Sequence, residues 1–305
     1  MFYFIDINTF FDNFVHNIHK VDDRLDNYLA DPNENNIHDI RTSIRRLEAA
    51  FLASPKQIHR KKIKQFVEES KRLFKANSEL RDFDIILEKV SQEGQMDELQ
   101  LELFEKDIYK NRDRSLEKAI SIAHKLRKLD IPHINIYNGG YDIDLLQEKL
   151  ILRYNKVVLG FLLGIEKNIP IVINDSYRTE ELHQMRKDSK KLRYLFELLL
   201  NEKDKGKDGV DKSNVEKDNE NKINNNNNNN QNIWNQIEQL KKIQDMLGNI
   251  HDYDISIAYL NRQGKRKNFV TEMNITNHRM NKYKEFVNYF KSNISNTSKK
   301  LVMSI

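Results

Sequence analysis

The sequence contains no cysteine. Disulfides, thiolate zinc sites and thiol nucleophiles are therefore excluded. Nine glycines and four prolines in 305 residues are too few for the turn-dense chain of a sandwich or barrel. Long apolar runs are missing as well. The longest, Val157 to Ile165, is bounded by Lys156 and Glu166 and cannot cross a bilayer. The N-terminal stretch has no basic start and carries Asp6 and Asp12, so it does not read as a signal peptide. No HExxH, GxxxxGK[ST], GxSxG or glycine-rich phosphate loop occurs. These absences predict a soluble, cytoplasmic protein without membrane contact, cofactor or metal.

What the chain does have is charge. Charged residues make up 32% and apolar residues 38%, enough for a core beneath a heavily charged surface. The net charge of +5 is unevenly spread: Ile37 to Lys75 holds eleven Lys or Arg against four acids, a local +7. Clustered cations repel one another unless an anion neutralises them, so the block points to an anionic partner or to a solvated helix face.

Apolar spacing is helical almost throughout. Ile7, Phe10, Phe14, Ile18, Val21, Leu25 and Tyr28 step by three or four, and Ile37, Ile40, Ile44, Leu47 and Phe51 repeat the pattern after Asn36 as an expected cap. Stripes at Ile63 to Phe74 and at Leu80 to Val90 read as successive elements, followed by a long one from Leu99 to Leu126. All four prolines, Pro32, Pro55, Pro132 and Pro170, are placed in gaps between stripes. In the last element, from Asn268, the residues Phe269, Met273, Tyr283, Phe286, Val287 and Phe290 are expected to form the core face. The predicted class is all-α. Residues 201–232, which end in the run Asn224 to Asn230, have nothing to bury and are expected to be a disordered insertion.

The most informative feature is an internal repeat. His38, Arg41, Arg45, Arg46 and Leu47 match His183, Arg186, Lys190, Lys191 and Leu192 at an offset of 145. Arg81, Asp82, Phe83 and Asp84 match His251, Asp252, Tyr253 and Asp254 at an offset of 170. The difference of 25 is about the size of the Asn-rich insertion, which lies between the two elements in the second half only. Duplication is the economical account. It predicts two four-helix bundles related by a pseudo-twofold, at 1–140 and 141–305.

At about 100° per residue, His38, Arg41 and Arg45 fall within a sector of about 60°, flanking the apolar stripe at about 110° from its centre. His183, Arg186, Lys190 and Arg193 occupy the equivalent sector, and Arg60, Lys64, Lys71 and Lys75 are expected to align on the next helix. A row that flanks the buried face ends in a groove between packed helices. A linear polyanion would neutralise several such rows through charge-assisted bonds, with Arg as a bidentate donor and Lys as a point charge. The histidines would add donors, stronger when protonated beside a phosphate.

The carboxylates Asp82, Asp84, Asp252 and Asp254 have a metal-ligand reading, but helix-start capping and pairing with arginines fit them better. His38-Asp39 and His251-Asp252 also suggest an HD-type metal phosphohydrolase, against which the adjacent cations argue. A basic groove further admits a nucleic-acid-binding helical module, with non-specific attraction to phosphate backbones.

These residues resemble the CHAD family, a histidine-bearing α-helical domain that binds inorganic polyphosphate. The resemblance rests on HDIRTSIRRLEAAF at 38–51, HQMRKDSKKLRYLFE at 183–197, LRDFDIILEKV at 80–90 and LKKIQDMLGNIHDYD at 240–254. It implies paired helical bundles with basic residues lining a central groove or pore, and binding without catalysis. Carried over residue by residue, it implies polyphosphate contacts from His38, Arg41, Arg45, Arg46, His183, Arg186, Lys190, Lys191 and Arg193. Lys241 joins them from helix geometry and family-like placement. Glu48 and His251 depart from the family's pattern. The Glu-x-Glu-x-Lys hallmark of the CYTH triphosphatase, to which some members are fused, does not occur, so a stand-alone binding module is expected. The implied partners are polyphosphate, its granules or its metabolising enzymes.

Overall fold

A computed structural model of the chain describes residues 5–200, 220–262 and 268–303. Its helices are α1 (Ile7–Ala30), α2 (Glu34–Ala53), α3 (Lys61–Glu93), α4 (Glu98–Arg127), α5 (Ile143–Val172), α6 (Thr179–Glu197), α7 (Glu220–Arg262) and α8 (Phe269–Met303), with a short 3-10 turn at Lys56–Ile58. Among the described residues there is no strand. The fold is all-α.

Helix starts follow local chemistry. Asp6, Asn33, Asp97 and Asp142 each accept a hydrogen bond from the backbone N–H three residues on, satisfying a donor that has no intrahelical partner. The cap of α2 is thus Asn33 and not Asn36. Directly after Pro32, Asn33 reaches the Asn36 amide at 2.9 Å. Asp39, in the first turns of α2, pairs with Arg24 of α1 at 3.0 Å.

Several expected boundaries move. The two stripes at Ile63 to Phe74 and Leu80 to Val90 belong to one 33-residue helix, α3, because no Gly or Pro interrupts them. Pro170 lies inside α5. In the last turn proline removes only one amide, and its own carbonyl accepts from Asn174 Nδ2 at 2.8 Å. The insertion expected at 201–232 lies outside the described residues as far as 219. From Glu220 the backbone is placed in α7, where each added residue extends an existing helix without a new nucleus. Phe269 and Met273 of α8 are exposed, while Thr271, Ile275 and Arg279 turn inward. The expected core face holds only from Tyr283 onward.

Neighbours in sequence pack in the same order twice: α1 on α2 on α3 on α4, and α5 on α6 on α7 on α8. The two sets meet through α2 against α6 and α3 against α7. The expected division at 140/141 falls in the loop before α5, where Gly140 adopts a left-handed φ of 72° that side chains disfavour. The main core draws on all eight helices, with Phe10, Phe14, Tyr28, Phe66, Tyr154, Phe196 and Phe286 among its largest members. Buried polar ties stitch the sets together: Arg153 Nε donates to the Leu52 carbonyl at 2.9 Å, and Asn13 Nδ2 to those of Leu198 and Leu200 at 3.0 Å.

A second, smaller core forms where the far ends of α3, α4, α7 and α8 converge, around Phe83, Ile86, Ile108, Tyr253, Leu260 and Ile275. Beside it stand two matching ion pairs, Asp84–Arg112 at 2.7 Å and Asp254–Arg279 at 2.6 Å.

Candidate functional site

Each cationic row flanks an apolar stripe, so packing α2 against α6 brings the rows of the two sets together. At the seam between α2, α3, α6 and α7, Arg41 feels Arg45, Asp82, Arg81 and Arg186. Arg186 in turn feels Asp252, Arg45 and Asp82. Lys190 feels Arg186, Arg45, Asp252 and Arg193. One arginine and one aspartate from each set therefore face their counterparts, with Arg45 and Lys190 a turn further along.

Burial controls the charge state of this cluster. It is the main reason that Arg41 is lowered to about 10, with Arg45 adding repulsion, a value that still leaves it charged at neutral pH. Arg186 is lowered for the same reason. Lys190 falls to about 6, through burial first and then Arg186 and Arg45. Asp82 rises to about 6 because burial outweighs the attraction of Arg41, with Asp252 opposing its charge further. Cations are held partly out of water with few acids to balance them, an arrangement that costs stability.

Donors also remain unused. Arg186 Nε and His183 Nδ1 are buried without a hydrogen bond, as is the acceptor Asp252 Oδ1. Arg41 spends one nitrogen on Ser78 Oγ at 3.1 Å and lies over the Phe74 ring at 4.6 Å, a ring that Arg45 also covers at 4.7 Å. The shared ring lets two like charges sit on one apolar platform.

A family model described as the CHAD domain matches residues 15–132, which run from within α1 to just past α4. Over those residues the chain is similar to the CHAD domain family. For the chain as a whole the likeness is one of fold. The crystal structure of the CHAD domain from the plant Ricinus communis aligns with a TM-score of 0.52 at 12% identity, covering 96% of this chain and 88% of that one. No curated protein matches the sequence.

Against the CHAD match, the candidate residues sort into three neighbourhoods. Arg41, Arg45, Arg186 and Lys190 form the seam cluster. His183 joins it, its ring 4.3 Å from that of His251. His183 is lowered to about 4, by burial first and then by Lys187 and Arg186, and His251 to about 2, by burial first and then by Arg186 and His183, so both are neutral at physiological pH. His38 is exposed and also lowered, mainly by burial; the first set has Arg81 in the place of His251.

At the second neighbourhood, Glu48 is drawn among Lys71, Lys191 and Arg45, although burial raises its pKa overall. Lys71 lies over Phe51 at 5.8 Å and Lys191 over Phe161 at 5.3 Å. The third is a cavity of about 360 Å³ lined by Lys20, Arg46, Arg193, Glu197, Trp234 and Lys241 among others. There Arg46 Nε binds Glu197 at 2.9 Å, with Arg193 Nε at 3.7 Å from the same carboxylate.

Arg60 does not share the row of Lys64, Lys71 and Lys75. It precedes the first turn of α3, donates to the Gly139 carbonyl at 3.1 Å and covers Tyr141 at 5.1 Å, so it ties the loop before α5. Lys64 and Lys75 are exposed on α3. The four aspartates are not helix caps: all lie well inside α3 or α7, because those helices run unbroken through the motif. Pairing with arginines holds for Asp84 and Asp254. Among the described residues no three His, Asp or Glu side chains converge as a metal site.

Sequence reasoning missed Lys187, Arg81 and Lys20 as neighbours of these sites. Lys187 is one helical turn after His183, and Arg81 opens the repeated Arg-Asp-x-Asp element, so both were within reach. Lys20 has no repeat counterpart, and only tertiary packing brings it to the cavity.

Proposed function

We propose that the chain binds inorganic polyphosphate along the seam where α2 and α3 meet α6 and α7. The observation that supports this reading is the cluster of Arg41, Arg45, Arg186 and Lys190, drawn from both sets and half-buried. Its cations depress one another's charge, and Arg186 keeps a buried donor without a partner. A chain of phosphates supplies the missing negative charge and acceptor oxygens at one stroke. The rims at Glu48 and at the Arg46 cavity extend the path at either side. The same reading makes the protein a binder without hydrolytic activity, working in the cytoplasm on free or granular polyphosphate.

The test is a titration with polyphosphate of defined length against duplex DNA of equal phosphate count. Polyphosphate is expected to displace DNA well below equal phosphate concentration. Equal affinity for DNA with sequence preference would replace the ligand. Phosphate-release assays accompany it: turnover with stoichiometric metal, lost in His251→Ala, would replace binding with catalysis.

A further inference from the structure

The buried face of α5 is Leu146, Leu150, Tyr154, Val158, Leu162 and Ile165. Directly opposite stands a second apolar stripe: Leu145, Leu152, Leu159 and Leu163 are 44%, 57%, 43% and 54% exposed. Helices of a soluble protein carry charge at such positions, and four leucines along about 27 Å of one helix are an unpartnered face. Two charged residues interrupt the stripe, Glu148 and Lys156, and neither has an ion-pair partner among the described residues. Eight residues apart, they are too distant to pair with each other along α5.

We propose that two copies of this chain associate through this face, their α5 helices antiparallel about a twofold axis at Leu152. The register follows from the sequence. With Leu152 against its own copy, Leu145 lies opposite Leu159, and Glu148 lies opposite Lys156. One alignment thus covers Leu145, Leu152 and Leu159 and makes two symmetric ion pairs, the self-complementarity that a twofold interface requires, while Leu163 lies just beyond the overlap of the two helices. Beside Leu159, Gly160 opens onto empty space, which allows close approach of the facing helix. A single helix pair buries less than the about 1,200–2,000 Å² of a standard interface, so the association is expected at micromolar concentration, about 1–100 μM.

The absence of cysteine makes the test clean. Sedimentation equilibrium of the full chain should show a monomer–dimer equilibrium that Leu152→Glu abolishes. Glu148→Lys and Lys156→Glu should each weaken it about tenfold, since each reverses two symmetric pairs, and the double reversal should restore it. Under mild oxidation Leu152→Cys should cross-link to itself. Leu145→Cys and Leu159→Cys should cross-link only when mixed. These side chains are exposed, so the variants keep the fold. A monomer throughout the micromolar range overturns the proposal, as does a Leu152→Cys that cross-links no faster than Leu99→Cys on α4. None of these readouts involves polyphosphate.

Discussion

Asp82 and Asp84 stand two residues apart on α3, as Asp252 and Asp254 do on α7, yet the two members of each pair live in different electrostatic worlds. Two steps along a helix turn the side chain by about 200°. Asp84 and Asp254 face the next helix and close on Arg112 and Arg279 in tight one-to-one ion pairs. Asp82 and Asp252 face the seam, where arginines and lysines crowd them and neither closes on a single cation. At the pairs charge is balanced within the protein. At the seam it is left unbalanced, at the expense of stability.

Removing Arg41 and Arg186 together should break the comparison most sharply. Charge-assisted bonds are worth roughly 1.5–3 kcal/mol each, so the double alanine variant should lose about 3–6 kcal/mol of polyphosphate affinity if the effects add. It should also flatten the dependence of log affinity on log salt. Thermal stability should hold or rise, because repulsion among buried cations is relieved. Calorimetry across a salt series, with a melting curve, reads both.

The converse variant is Asp254→Ala. Arg279 is only 5% exposed, and stripping its partner leaves a buried charge alone, at a cost of about 3–5 kcal/mol in stability. Denaturant unfolding should show this loss, while the affinity of the folded protein for polyphosphate stays nearly unchanged. Asp84→Ala should follow the same pattern.

A subtler prediction concerns protons. Lys190 titrates at about 6 in the empty protein, so above that pH it is mostly neutral, and an adjacent anion restores its charge. Binding should then take up about one proton between pH 6 and the ordinary lysine range, and affinity should fall as pH rises through that window. Because the folded value lies below the unfolded one, the unfolded chain holds more protons there, and Lys190 makes empty-state stability rise with pH over the same range. Calorimetry in buffers of different ionisation heat measures the uptake, which Lys190→Met should remove. Smallest of all, Lys282→Ala on α8, far from the seam and paired at the surface with Glu285, should change affinity and stability by less than about 0.5 kcal/mol.

How much of this was legible in the sequence depends on range. The helical class and most of the core stripes rest on local periodicity, and α1, α2 and α4 fall close to where it puts them. The rows on α2 and α6 were legible because a flanking position at fixed spacing has a defined direction. Arg60 was not: the rule assumed it was already helical, whereas the turn at Pro55 delays α3 by one residue past it. The fusion of two stripes into α3 and the fate of Phe269 depend on what packs where, which spacing does not contain. The opposite roles of Asp82 and Asp84 follow from helix geometry once α3 is known to run through the motif, and reading them as caps hid it.

The smaller core carries a consequence for biosynthesis. It joins Phe83, Ile86 and Ile108 to Tyr253, Leu260 and Ile275, residues far apart along the chain. On a ribosome adding about 5–20 residues per second, the first group waits on the order of ten seconds before its partners emerge. During that interval α3 and α4 present an uncovered apolar end, and the cationic row on α2 has no opposing row. The nascent first half is therefore a sticky intermediate, whose apolar end stays open until α7 and α8 arrive.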